Sequence, residues 1–145
     1  MRSFFTALIF LFTTLSNAVS ASPTGLSVTD AWIAEAPPVS KVMVAYMTIE
    51  NNAAEDITIV KAESDLYSSI EFHETRHEDG MARMIRHENL LVPASGHITL
   101  KRGGKHLMLF NPVKRLKAGD TVTIKLTTEN NIKKNIKIAV KKSQY

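Results

Sequence analysis

The chain has 145 residues, is 44% hydrophobic, carries a formal net charge of +4 and contains no cysteine. That length supports one compact domain with its own core, and the missing thiols exclude disulfides and thiolate metal sites. The cations are dispersed, except for Lys133, Lys134, Lys141 and Lys142, and no aromatic residues interleave with them, which excludes a nucleic-acid-binding stripe. The lysine cluster reads as a solvated strand face and tail, with an acidic partner or anionic lipid as the alternative.

In chain order, the first element is an export signal. Arg2 precedes an apolar run of 12 residues, Phe4–Leu15. That run is too short to span a bilayer comfortably, and small residues follow at Ser16-Asn17-Ala18 and Val19-Ser20-Ala21. Residues 1–21 are therefore expected to be a cleaved signal peptide. Residues 22–145 are expected to be an exported, periplasmic domain, monomeric, without a lipobox cysteine or a stable membrane anchor.

The rest reads as all-β. Val42–Glu50 is apolar on both faces, as a central strand should be. Ile57 and Ile59 continue the pattern, then Ser68–Thr75. Val122, Ile124 and Leu126 alternate with polar residues, and so do Ile136, Ile138 and Val140. Turn chemistry separates these runs at Asn51-Asn52, Asp79-Gly80, Ser95-Gly96, Gly103-Gly104 and Gly119-Asp120. One helical turn is conceivable over Ala62–Tyr67. Short strands at this spacing predict an antiparallel sandwich or barrel in one domain. Met43, Met47 and Trp32 are expected in its core.

The chemistry lies in two His-Met pairs, His73 with Met84 and His106 with Met108, spaced H-x10-M-x21-H-x-M. Imidazole and thioether without thiolate suit a soft ion, Cu(I) first, with zinc the runner-up. His106 and Met108 are two apart, so on a strand they share a face. A four-residue loop over His77–Gly80 would put His73 directly opposite Met84 and turn Met81 away. His87 and His97 read as surface residues, and His77 is an open candidate beside the site. No nucleophile motif, phosphate loop or paired carboxylates point to an enzyme.

These residues resemble the signature of the periplasmic copper chaperone family PCu(A)C. The likeness extends to EFHET, EDGMARM, LLVPASGHITLKRGGKHLMLF and LKAGDTVTIKL, and to Asp30–Trp32 and Ala45–Asn51. What the resemblance implies is a cupredoxin-like β-sandwich holding Cu(I) through His73, Met84, His106 and Met108. It implies delivery for cytochrome c oxidase assembly at the CuA centre, to an oxidase subunit or a thiol-bearing assembly factor. His77 stands where relatives commonly have Met. The chain ends in Lys141-Lys142-Ser143-Gln144-Tyr145, without the His- and Met-rich tail of some relatives. Copper buffering by sequestration, and a metal-free interaction module, are the alternatives.

Overall fold

Side-chain alternation in one central strand organises the molecule. In Val42–Asn51 (β2) the odd-numbered side chains are buried and the even-numbered ones half-buried, the period of two that a covered sheet requires. The computed structural model describes residues 25–143, so the expected signal peptide lies outside them. The other strands are β1 (Leu26–Ala34), β3 (Ile57–Glu63), β4 (Tyr67–Glu78), β5 (Met81–His87), β6 (Leu90–Val92), β7 (His97–Leu100), β8 (Lys105–Pro112), β9 (Thr121–Thr128) and β10 (Lys133–Lys141). No helix occurs among the described residues, and Ser64–Leu66 is a turn rather than a helical one.

The strands run in the order β5-β4-β8-β2-β1-β10-β9-β3-β6, with β7 also on β2. The pairing is antiparallel except between β1 and β10, which makes the sheet mixed. Ile33, Ile49, Leu107 and Leu109 from one half meet Ile59, Val92, Ile124 and Ile138 from the other, all with zero exposure. The sheet therefore folds over on itself around one core, a cupredoxin-like β-barrel. Each such aliphatic side chain contributes roughly 1.5–3 kcal/mol by leaving water, enough to hold the fold without disulfides.

Met43 and Met47 are core residues as expected, and Tyr67 donates its hydroxyl to Met43 Sδ at 3.2 Å. Trp32 is not. It stands half-buried on the outer face of β1, its ring 5.0 Å from Tyr46. A bulge between Thr29 and Trp32, where Asp30 takes a φ of 52°, sets the tryptophan on that face.

Candidate metal centre

The β4–β5 connection decides where Met84 goes. Asp79 and Gly80 alone make the turn, with φ of 52° and 76°. Two positive φ values are what a two-residue type I′ hairpin needs, and Asp-Gly supplies them cheaply. The strands consequently extend through Glu78 and Met81, which pair. The four-residue loop is thus corrected: His73 faces Arg86, and Met84 faces Thr75. The loop is shorter by two residues, an even number, so the side-chain parity survives. His73, Thr75 and Met84 share the outer face, and Met81 lies on the other.

On its other side β4 pairs with β8, placing His73 directly opposite His106 and Glu71 opposite Met108. All four sequence-predicted residues thus stand on one face of three adjacent strands. The His73 and His106 rings are 6.2 Å apart between centroids. Two imidazoles sharing one ion through bonds of ~2.0 Å have centroids roughly 5–6 Å apart. Met84 is a diagonal neighbour of His73, within reach of a long side chain.

The hydrogen bonds assign a free lone pair to each ring. His106 is 5% exposed, and its Nδ1 donates to the Gly104 carbonyl at 2.9 Å. A carbonyl can only accept, so Nδ1 carries the proton and Nε2 keeps the lone pair. His73 is arranged the other way round. Its Nε2 donates to the Glu71 carboxylate at 2.8 Å, and among the described residues its buried Nδ1 has no hydrogen-bond partner. A buried acceptor without a donor is costly, unless a Lewis acid takes it. Each imidazole is oriented by an oxygen behind it, the arrangement metal-binding histidines use.

The thioethers are less fixed. Met108 is half-buried between Glu71 and Val44. Met84 is 55% exposed, with Thr75 Oγ1 at 3.8 Å from its sulfur. Among the described residues no three His, Cys, Asp or Glu side chains form a metal cluster. A metal here would draw on thioether sulfur, and that favours a soft monovalent ion over zinc or a hard cation.

The remaining candidates separate cleanly. His77 shares the face of His73, opposite Ala82, but lies four residues from it, about 13 Å along the strand. The two cannot hold one ion with β4 extended as it is. His87 is half-buried on the opposite face, where Glu74 accepts from its Nε2 at 2.8 Å and holds Arg76 at 3.2 Å. The hydrogen bond from His87, with Arg76 beside it, lowers the Glu74 pKa against some burial. His97 is exposed on β7, opposite Glu50. Sequence reasoning missed the positioning part of Glu71. The available signal was Glu71-x-His73, two apart on one strand and therefore on one face.

The chain is similar to known proteins in sequence and in fold. Residues 26–140 match the LpqE-like family, whose description reads "Putative lipoprotein LpqE-like". The Cu(I) form of DR1885 from Deinococcus radiodurans is similar, at 34% identity and a TM-score of 0.67, over 88% of this chain and 84% of that one. The copper-bound PCuAC domain of PmoF2 is 19% identical, with a TM-score of 0.69 over 82% and 94%, a likeness of fold. The protein RP573 of Rickettsia prowazekii (strain Madrid E) is 30% identical over 97 residues, spanning 65% of this chain but 54% of RP573.

Proposed function

The chain belongs to the LpqE-like family, and from that premise we propose an exported copper chaperone of the PCu(A)C type. It takes Cu(I) as cargo between His73 Nδ1, His106 Nε2 and the sulfurs of Met84 and Met108, and hands it to a partner in the periplasm. The observation that carries this is the buried Nδ1 of His73, without a hydrogen-bond partner among the described residues, in a ring whose centroid lies 6.2 Å from that of His106. Among the described residues nothing satisfies that lone pair, and a soft cation would.

Four neutral donors leave the bound ion its single positive charge, and the thioethers have no proton to lose. A weakly held, exposed Met84 is suited to replacement by an incoming thiolate. The recipient we propose is a thiol-bearing assembly factor or the CuA subunit of cytochrome c oxidase. No catalytic role is proposed. Cleavage near residue 21 would release the domain into the periplasm.

Anaerobic titration of the purified mature chain with Cu(I) against a chromogenic chelator tests the reading. One equivalent should be withheld from the chelator. Failure to compete would leave a metal-free module as the better account. A deletion strain then separates delivery from sequestration. Loss of oxidase activity at limiting copper supports delivery, whereas normal activity with copper sensitivity supports sequestration.

A further inference from the structure

The ligand face does not stop at the metal centre. Arg86, His73 and His106 stand opposite one another across β5, β4 and β8. Beyond the Leu107–Ala45 pair, the next residues on β8 and β2 are His106 and Tyr46, and Tyr46 faces Trp32 on β1. Trp32 therefore lies two strands from His106, about 10 Å away on the same face. Over the Trp32 ring, at 5.7 Å from its centroid, sits the Arg102 guanidinium. Its Nη2 also donates to Ser143 Oγ at 2.8 Å.

Arg102 belongs to the turn Lys101–Gly104, which leaves the sheet between β7 and β8 and closes through Lys101 N to Lys105 O at 2.7 Å. The same turn holds the metal centre. Gly104 O accepts from His106 Nδ1 at 2.9 Å and from the backbone N–H of Thr75 at 3.0 Å. Thr75 in turn touches Met84 Sδ. One four-residue turn thus links an exposed guanidinium to the orientation of His106 and the strand facing Met84.

Around Arg102 the surface is open and cationic. A hollow of about 450 Å³ is lined by Trp32, Arg102, Lys141 and Lys142. Two more, of about 350 and 270 Å³, flank Tyr46 and share Arg102. Asp30 and Glu35 line those two, against Lys101, Arg102, Lys141 and Lys142, so the balance of this patch is positive. Trp, Tyr and Arg around pockets are the residues that anchor protein interfaces.

We propose that the Trp32–Tyr46–Arg102 ridge with Lys141 and Lys142 is the docking surface for the copper recipient, and that this recipient presents carboxylates beside its thiols. Charge complementarity selects an acidic protein surface and disfavours a second copy of this chain, whose like-charged ridge would repel. A membrane fits poorly, because among the described residues none of the large exposed apolar side chains lines the three hollows. The inference rests on the copper reading for its purpose but not for its measurement. Arg102 is already held by Trp32 and Ser143, so docking needs little side-chain ordering.

Trp32 is the one tryptophan of the chain, so its emission reports the ridge directly, with no copper present. The metal-free chain is titrated with synthetic peptides carrying a Cys-x-x-x-Cys pair flanked by four Glu, four Ser or four Lys. The Glu peptide should shift Trp32 emission at low salt, and the shift should fade at high salt. The Ser and Lys peptides should not shift it. The double variant Arg102→Gln, Lys142→Gln, with an unchanged melting temperature, should lose the response. With Cu(I) loaded, the Glu peptide should take the ion at least 10-fold faster than the Ser peptide, an advantage the double variant lacks. Equal responses to all three peptides, or a response retained by the double variant, would overturn the docking surface. So would emission that moves with phosphatidylglycerol vesicles and not with the Glu peptide. A chain that binds the peptide but no Cu(I) would sink the copper reading and leave the surface standing.

Discussion

Glu71 offers the sharpest test of how the metal centre is built. Its carboxylate accepts from His73 Nε2 at 2.8 Å and meets Arg86 Nε at 3.5 Å. Removing an outer partner of this kind typically weakens metal binding 10- to 100-fold, about 1.4–2.8 kcal/mol. The Arg86 contact adds little, because that side chain is 69% exposed and surface ion pairs contribute ~0–1 kcal/mol. Glu71→Ala should therefore lower Cu(I) affinity 10- to 100-fold. Glu71→Gln keeps an acceptor oxygen but not the charge, and charge-assisted bonds are roughly twice as strong as neutral ones. It should lie between, at a loss of about 3- to 10-fold. Arg86→Ala should stay within about twofold of the wild type. Anaerobic competition with a chromogenic Cu(I) chelator measures all three, and urea unfolding of the metal-free forms checks that the fold is intact. An affinity within twofold for Glu71→Ala would refute the positioning role. So would Arg86→Ala being equally damaging, since the cross-hairpin ion pair would then be what matters.

Met84→Leu and Met108→Leu, which keep shape and lose sulfur, should each weaken Cu(I) binding at least tenfold, while Met81→Leu on the opposite face should not change it in the same competition assay. Gly80 has a φ of 76°, so Gly80→Ala should cost the hairpin about 1–2 kcal/mol, read as a lower urea midpoint. A midpoint unchanged by that variant would contradict the type I′ turn. Burial pushes the Tyr67 hydroxyl up to about 12. A folded-state pKa above the unfolded value of ~10 means its stabilisation is whole below that value and is lost as pH rises through about 12. Wild-type stability should fall between these limits more steeply than that of Tyr67→Phe, and parallel curves would refute the assignment.

The periodicities fixed much of this in advance, and the misses have physical causes. His106 and Met108 share a face by strand parity alone, and the structure keeps them there. The Met84 placement succeeded although the loop length was wrong. Asp79 accepts a positive φ, so the turn tightened by two residues and only an odd change would have turned Met84 away. Nothing local, however, says that β8 pairs with β4. That contact joins residues more than thirty positions apart and follows from barrel closure. Trp32 was misread for a related reason: a lone tryptophan in an apolar strand favours the core unless a bulge reverses its face, and Asp30 makes that bulge.

The three strands of the proposed site also differ in how firmly the sheet holds them. β8 lies between β4 and β2, and β4 lies between β5 and β8. Among the described residues β5 is flanked by β4 alone. The imidazoles ride on the two doubly paired strands, each turned by an oxygen behind it. Met84 rides on the edge strand, half in solvent. Rigid donors and a yielding one thus follow from strand order. Edge strands invite pairing with other chains, and cationic side chains blunt that tendency. Arg83 and Arg86, both exposed on β5, occupy opposite faces of this edge. The strand that carries Met84 can therefore stay open at the edge without becoming a template for strand addition, which makes the exposure of Met84 tolerable.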